Sequence, residues 1–563
     1  MARFNLRGAR PAAGSPVTTT GRPTRTHEGA AGLLRDAKSE LFLLAVAHTV
    51  GTDAFYEKAD ARDERYTALV RRLAVEDPTW TSGLLGWLRR EGNMRTASLV
   101  GAAEFVKARL DAAPTAGQAP ADGGGGGGPA DGGAPWSNRA VIDSVLQRPD
   151  EPGEMLGYWT GRYGRRLPKP VKRGVADAVR RLYTERSLLK YDSDTRGYRF
   201  GDVLELTHPA PHPDRAWQGD LFQHAIDRRH GRDERIPESL GLIRRRRALT
   251  ALPVADRRAL LLTPDGPDLL GRAGMTWEAL AGWLQGPMDK AAWEAVIPSM
   301  GLMALVRNLR NFDEAGVSDA VAARVAARLA DADEVRASRM FPFRFWAAYK
   351  AAPSLRWGHA LERALAHSLA HVPALSGRTL ILVDRSPSMF PGYGFSTPNR
   401  SDIPLAEQAA VFGAALALRA AAPTLVEFGW DSREIAVPQG GSVLRLVERF
   451  GRIDGTDIPS AVRRYYAGHD RVVIVTDEQT RPGWLPSNAG GHHGGMPETR
   501  IDDLVPKNVP VYMWNMAGYR EAAMPSGSGN RHALGGLTDT AFRMIPLLDA
   551  GRDARWPWEE AAA

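Results

Sequence analysis

Hydrophobic spacing divides the chain into a long helical stretch and a shorter stretch in which strands alternate with helices. Leu33, Leu34, Ala37, Leu41, Phe42, Leu44, Ala45 and Val46 recur at helical intervals with a wide apolar face. Tyr66 to Val75, Leu84 to Arg90 and Ala97 to Leu110 continue the series. Strand alternation is essentially absent here, so the expectation is an all-α array of antiparallel helix pairs. Residues 112–138 interrupt it with six consecutive glycines, Gly123 to Gly128, flanked by Ala, Pro and Asp. Such a segment buries too little apolar surface to offset its ordering entropy and reads as a flexible insertion. Helical spacing resumes at Arg139 to Val145, Val175 to Tyr183, Trp277 to Trp283, Met300 to Phe312 and Arg339 to Tyr349. The methionines of MGLMALVRNLRNF read as core, and Arg307 and Arg310 as structural.

Past a linker near Pro373 the pattern changes. Thr379 to Phe390, TLILVDRSPSMF, sets four strand-forming apolar residues before Asp384, the signature of a buried parallel strand delivering a carboxylate to the sheet's carboxyl edge. Open α/β sheets bind ligands at that edge. Arg471 to Thr476, RVVIVT, is a second such strand, and Asp477 follows it; Gly451 to Ile458, GRIDGTDI, is a glycine-containing loop before the helical Pro459 to Tyr466.

These positions carry candidate chemistry. Asp384, Ser386 and Ser388 form D-x-S-x-S, to which Thr456 and Asp477 add a hydroxyl and a second carboxylate. Five hard oxygen donors at one edge, completed by water, suit Mg²⁺ or another divalent cation. With no cysteine in the chain and no histidine beside the motif, zinc and copper are disfavoured. Asp454 and Asp457, flanking Thr456, read as supporting or capping groups. A hydrolase would need a positioned base beside the metal, for which Glu478 and the His492–His493 pair are the only loose candidates.

A length of 563 residues exceeds what one core sustains, so two or more domains are expected. The absence of cysteine excludes disulfides and thiolate chemistry. No apolar run is long enough to span a bilayer and the N-terminus lacks a signal-like apolar stretch, so a cytoplasmic protein without a membrane segment is expected. Charge is uneven: residues 371–563 carry 19 Lys and Arg against 21 Asp and Glu, leaving 54 against 44 in residues 1–370. A polyanion would therefore be met by the helical part.

There the basic residues crowd into YGRRLPKPVKR at Tyr163 to Arg173 and KYDSDTRGYRFGDVLELTH at Lys190 to His208. Arg165, Arg166, Lys169, Lys172 and Arg173 gather at one helix entry, and Lys190, Arg196 and Arg199 fall in the next connection. Interleaved with Tyr163, Tyr183, Tyr191 and Tyr198, they offer phosphate pairing and stacking faces for RNA. A solvated basic face without a ligand is the competing reading, and the favoured one for Arg244 to Arg247. His208, in THPAPHP, has two readings as well: a donor to phosphate or a 2′-hydroxyl, or a cap for the preceding helix.

The order D-x-S-x-S, Thr, Asp resembles the metal-ion-dependent adhesion site of von Willebrand factor A domains. DVLELTHPAP, IPSMGLMALVRNLRN and RMFPFRF, with FNLRG at Phe4 and FYEKADARDERY at Phe55, resemble the TROVE proteins, specifically bacterial Ro autoantigen orthologues. The resemblance implies a multidomain chain: an N-terminal arm at 1–28, an all-α ring of HEAT-like repeats at 29–372, a Rossmann-like α/β von Willebrand A domain at 375–550 and a tail at 551–563. It further implies a monomeric, non-enzymatic ring in RNA quality control, binding Y-RNA-like non-coding RNA and single-stranded 3′ ends of misfolded RNA. An exoribonuclease is the implied partner. By motif, RNA contacts fall on Lys190 and His208, with Arg196 and Arg199 beside them. The connection carrying those two arginines is longer than in the animal proteins.

Overall fold

The computed structural model describes residues 12–47, 53–113, 136–370, 372–390, 403–438, 440–482, 499–536 and 539–560. Phe4 of FNLRG, the Gly123–Gly128 run and His492–His493 lie outside these residues. The chain forms two compact units: Met1–Leu69 with Phe341–Ala347 and Ala364–Ala563, and Val70–Met340 with Ala348–Arg363.

The first unit holds every strand among the described residues: β1 (Thr19–Arg25), β2 (Ala31–Arg35), β3 (Leu375–Asp384), β4 (Ala420–Phe428), β5 (Ser432–Ile435), β6 (Arg471–Thr476), β7 (Val511–Asn515), β8 (Glu521–Ala522) and β9 (Arg531–Gly535). Six of them make a sheet in the order β5-β4-β3-β6-β7-β9, parallel except for the β4–β5 pair. A parallel sheet must be covered on both faces, which is why β3 and β6 read as unbroken apolar runs. Leu380, Leu382, Val472 and Ile474 pack with Ile458 and Val462 of the helix Ile458–Tyr465. The helix Leu405–Arg419 comes so close that a Cβ on Gly413 would stand 2.4 Å from Val383 Cγ2, so glycine is required there. Phe412 of that helix, Trp514 and Phe542 form a ring cluster with centroids 4.4–6.0 Å apart.

A second sheet, β1-β2-β8, is antiparallel and joins the N-terminal stretch to β8, pairing Leu33 with Ala522. Two expectations change here. Leu33 and Leu34 belong to β2, and the helix starts only at Ala37, where the Asp36 side chain accepts from Ser39 N. A short apolar run does not distinguish a strand from a helix; pairing with β8 decides it. Thr19–Arg25 is extended, but as a paired strand, and residues 12–47 cluster with the sheet-bearing unit, whereas the sequence set a boundary at 28 with a helical domain beyond it.

The second unit is helical throughout its described residues, and its helices pack chiefly on near neighbours in sequence. The helix Asn138–Val145 lies against Lys169–Leu182, where a Cβ on Gly174 would meet Arg139 O at 2.7 Å. Its buried carboxylates are satisfied: Glu104 accepts from Tyr158 and Tyr163 hydroxyls at 2.5 Å, and Glu151 from Gln147 N at 2.6 Å, Arg148 N at 2.8 Å and Arg89 at 2.6 Å. Among the described residues no helix is long and apolar enough to cross a membrane.

Candidate functional site

The carboxyl edge of the six-stranded sheet gathers the oxygen donors. β3 and β6 are adjacent and in register from Thr379↔Arg471 to Val383↔Val475, so Asp384 and Asp477 leave the sheet side by side, both fully buried. After β3 the chain turns through the 3₁₀ segment Pro387–Met389, which brings Ser386 Oγ to 3.1 Å from Ser388 Oγ. Asp384 accepts from Ser386 N at 2.8 Å and from the Thr476 hydroxyl at 2.5 Å. The Thr456 loop is fastened to the same edge: Ile453 N donates to Arg385 O at 3.1 Å, and Arg481 N to Thr456 O at 3.0 Å. Gly455 has φ +64°, and a Cβ there would overlap the Trp430 indole, so only glycine fits this turn. Asp457 caps the helix Ile458–Tyr465, accepting from Ser460 N at 3.0 Å, the capping role its position suggested.

Neither Asp384 nor Asp477 has an ion-pair partner among the described residues. Burial pushes the carboxyls of both Asp384 and Asp477 above the usual range, and the charge of Asp384 adds to the rise at Asp477. Asp477 Oδ2 is buried without a hydrogen-bond partner. The guanidinium of Arg385 donates to the carbonyls of Gly451 and Ala406, at 2.6 and 2.5 Å, and acts on Asp384 through its charge alone. An orphaned buried acceptor beside a second carboxylate and two hydroxyls is the donor set a hard cation asks for.

Sequence reasoning missed what holds this edge. Glu478, immediately after Asp477, sits at φ +67° and is buried. Its carboxylate is consumed by Arg35 at 2.5 Å, Asn515 Nδ2 at 2.9 Å and Ala523 N at 3.0 Å, so it is no free base. The N-terminal stretch grips the next two residues as well: His27 N donates to Gln479 Oε1 at 2.8 Å, and the Thr26 hydroxyl to Thr480 O at 2.5 Å. No local signal ties residues 26–35 to residues 478–480. The Thr476 hydroxyl was legible only as the last residue of a strand.

In the helical unit, Lys169 opens the helix Lys169–Leu182, with Lys172 and Arg173 on its first turn and Arg165 and Arg166 just before it. Lys169, Arg165, Arg166 and Arg173 are exposed and Lys172 is half-buried; none of the five has an ion-pair partner among the described residues. Lys190 is exposed, with Nζ 5.2 Å from the centre of the Tyr191 ring. His208 is exposed and left-handed, φ 49°, and caps the helix Phe200–Thr207 through its backbone N–H to Leu204 O, leaving the imidazole outward. The two arginines between them are differently placed. Arg199 is bound to Asp192 at 2.8 Å and Asp194 at 2.6 Å, and Arg196 to Asp150 and Glu154, each at 3.3 Å. Their charge is already spent within the fold.

Comparison with known proteins places these elements. Residues 273–370 match the family model of the TROVE domain. The match takes in the helices from Trp277–Leu284 to Leu355–Ser368 and includes IPSMGLMALVRNLRN and RMFPFRF. The fold is similar to the crystal structure of the Deinococcus radiodurans Ro (RSR) protein, with a TM-score of 0.57 and 17% identity over 92% of this chain and 99% of that one. No curated protein matches the chain. The likeness shows a fold of the Ro type.

Proposed function

We propose that this protein binds Y-RNA-like non-coding RNA and single-stranded 3′ ends of misfolded RNA, as a scaffold or chaperone in RNA quality control. The observation that carries this reading is the group of five cations from Arg165 to Arg173, none with an acidic partner among the described residues, at the start of one helix. Partnerless cations cost nothing in water and gain by releasing the counterions of a phosphate backbone. Lys169, Lys172, Arg173, Lys190 and His208 are the proposed contacts; Arg196 and Arg199, already paired, contribute less.

The α/β domain is read as a von Willebrand A domain whose Asp384, Ser386, Ser388, Thr456 and Asp477 hold Mg²⁺ or another divalent cation. Such an ion supplies positive charge and an open position for a partner's carboxylate, which favours recruitment of a protein such as an exoribonuclease over hydrolysis. The commitment of Glu478 to Arg35 and Asn515 supports the non-enzymatic reading, since it removes the only described base candidate.

Filter binding of a stem-loop RNA tests the first claim. Lys190→Ala with His208→Ala weakens binding, and affinity falls steeply with salt; no loss and no salt slope would remove the proposal. Incubating labelled RNA with the protein and Mg²⁺ leaves the RNA intact on this reading, and cleavage overturns it. Asp384→Ala loses protein partners in a pull-down, and an unchanged partner list argues against metal-dependent recruitment.

A further inference from the structure

We infer that a cleft in the helical unit receives a single unstacked base of RNA. It lies between the helix Glu151–Tyr163 and the connection Thr195–Phe200, with a volume of ≈ 210 Å³. Asp150, Glu154, Tyr183, Tyr191, Arg196 and Tyr198 supply its chemistry.

The cleft is built rather than incidental. Tyr198 lies along glycines one helical turn apart: a Cβ at Gly153 would stand 2.9 Å from Tyr198 O, and one at Gly157 3.6 Å from Tyr198 Cδ2. The Tyr198 hydroxyl is 2.9 Å from Thr160 Oγ1, which fixes the ring before any ligand arrives. Tyr191 supplies a second ring, with Lys190 and Arg148 5.2 and 5.8 Å from its centre. Tyr183 lines the cleft too, 1% exposed and stacked on Phe200 with centroids 3.8 Å apart. Its buried hydroxyl has no hydrogen-bond partner. Native folds rarely leave such a donor unpaired, because its lost hydration is not repaid.

The occupant follows from these groups. Flat aromatic walls select a planar ring and the Tyr183 hydroxyl asks for an acceptor, while the carboxylates of Asp150 and Glu154 are already paired with Arg95, Arg148 and Arg196. Burial raises the Asp150 carboxyl, but Arg148 and Arg95 hold it below its usual range, so it stays ionised within that pairing. A nucleobase, planar and bearing carbonyl and ring-nitrogen acceptors, meets both demands. An aliphatic ligand would leave the Tyr183 hydroxyl unpaired, and a free phosphate offers the aromatic walls no planar ring. The backbone of the same nucleotide would remain outside, toward the exposed Lys190.

This rests on the RNA-binding reading and deepens it, so its test is kept separable. The full-length protein is titrated with adenosine, guanosine, cytidine and uridine by saturation-transfer NMR, and with a single-stranded RNA 12-mer, intact and abasic, by fluorescence anisotropy. At least one nucleoside saturates at millimolar concentration. Tyr191→Ala weakens the intact 12-mer roughly tenfold, the usual effect of losing one stacking face. Tyr183→Phe, which keeps the packed ring and changes only the hydroxyl, weakens it about fivefold, and neither variant affects the abasic strand. Nucleosides that never saturate, or a Tyr183→Phe protein with unchanged affinity and unchanged melting, overturn the cleft while leaving backbone binding in place. A wild type that binds nucleosides but no RNA overturns the RNA-binding reading and not the cleft.

Discussion

The acidic edge of the sheet and the basic entry of the helix Lys169–Leu182 concentrate charge in opposite ways. At the edge, Asp384 and Asp477 are fully buried on neighbouring strands and one carboxylate oxygen has no partner. At the helix entry, Lys169 and Arg173 stand in water without acids. Buried charge is costly until a specific counter-charge is fixed beside it; exposed charge costs little and waits for whatever polyanion arrives. Substitutions at the edge should therefore act on stability, and those at the helix entry on affinity and its salt dependence.

The sharpest test of the buried side is Arg35→Ala. Arg35 and Glu478 are almost wholly buried, and removing one partner leaves an uncompensated charge next to Asp477. Urea unfolding should show a loss of about 3–5 kcal/mol in the transition of the sheet-bearing unit. A loss below about 1 kcal/mol would mean that water reaches this pair.

On the exposed side, replacing Lys169, Lys172 and Arg173 together with alanine should weaken RNA binding about 100-fold at low salt and flatten the log–log salt slope by about 2–3. Melting should hardly change. A large drop in melting temperature would show these side chains to be structural and collapse the contrast.

pH sharpens the comparison further. A carboxyl raised by burial stabilises the fold while it is neutral, and that contribution is lost as pH rises through its raised value. EDTA-treated protein should therefore melt lower at pH 8 than at pH 5. Mg²⁺ should restore about 2–3 kcal/mol at pH 8 at saturating concentration and less at pH 5. Asp477→Asn should remove the Mg²⁺ response and reduce the pH effect to the part that Asp384 carries, and a Mg²⁺ response that survives in that variant would place the ion elsewhere.

The smallest effect is expected at Arg199. Although it lies in the basic stretch, it is bound to the buried Asp192, so Arg199→Ala should cost about 1–2 kcal/mol of stability and change RNA affinity less than about threefold. Affinity falling without destabilisation would return it to the RNA-contact set.

Local pattern determined much of this protein. The unbroken apolar run of β6 and the helical spacing of Leu302–Glu314 were legible because burial on both faces, or on one stripe, imposes its period on the residues themselves. The oxygen donors at Asp384, Ser386 and Ser388 were legible because consecutive residues on one turn share one place. Only the tertiary structure decided that Leu33 and Leu34 form a strand, that Thr26, His27 and Arg35 hold the loop after Asp477, and that Arg199 is already paired while Lys169 is not. Each of those outcomes depends on residues distant in the chain or on which acid a flexible cation reaches, and no local period encodes either.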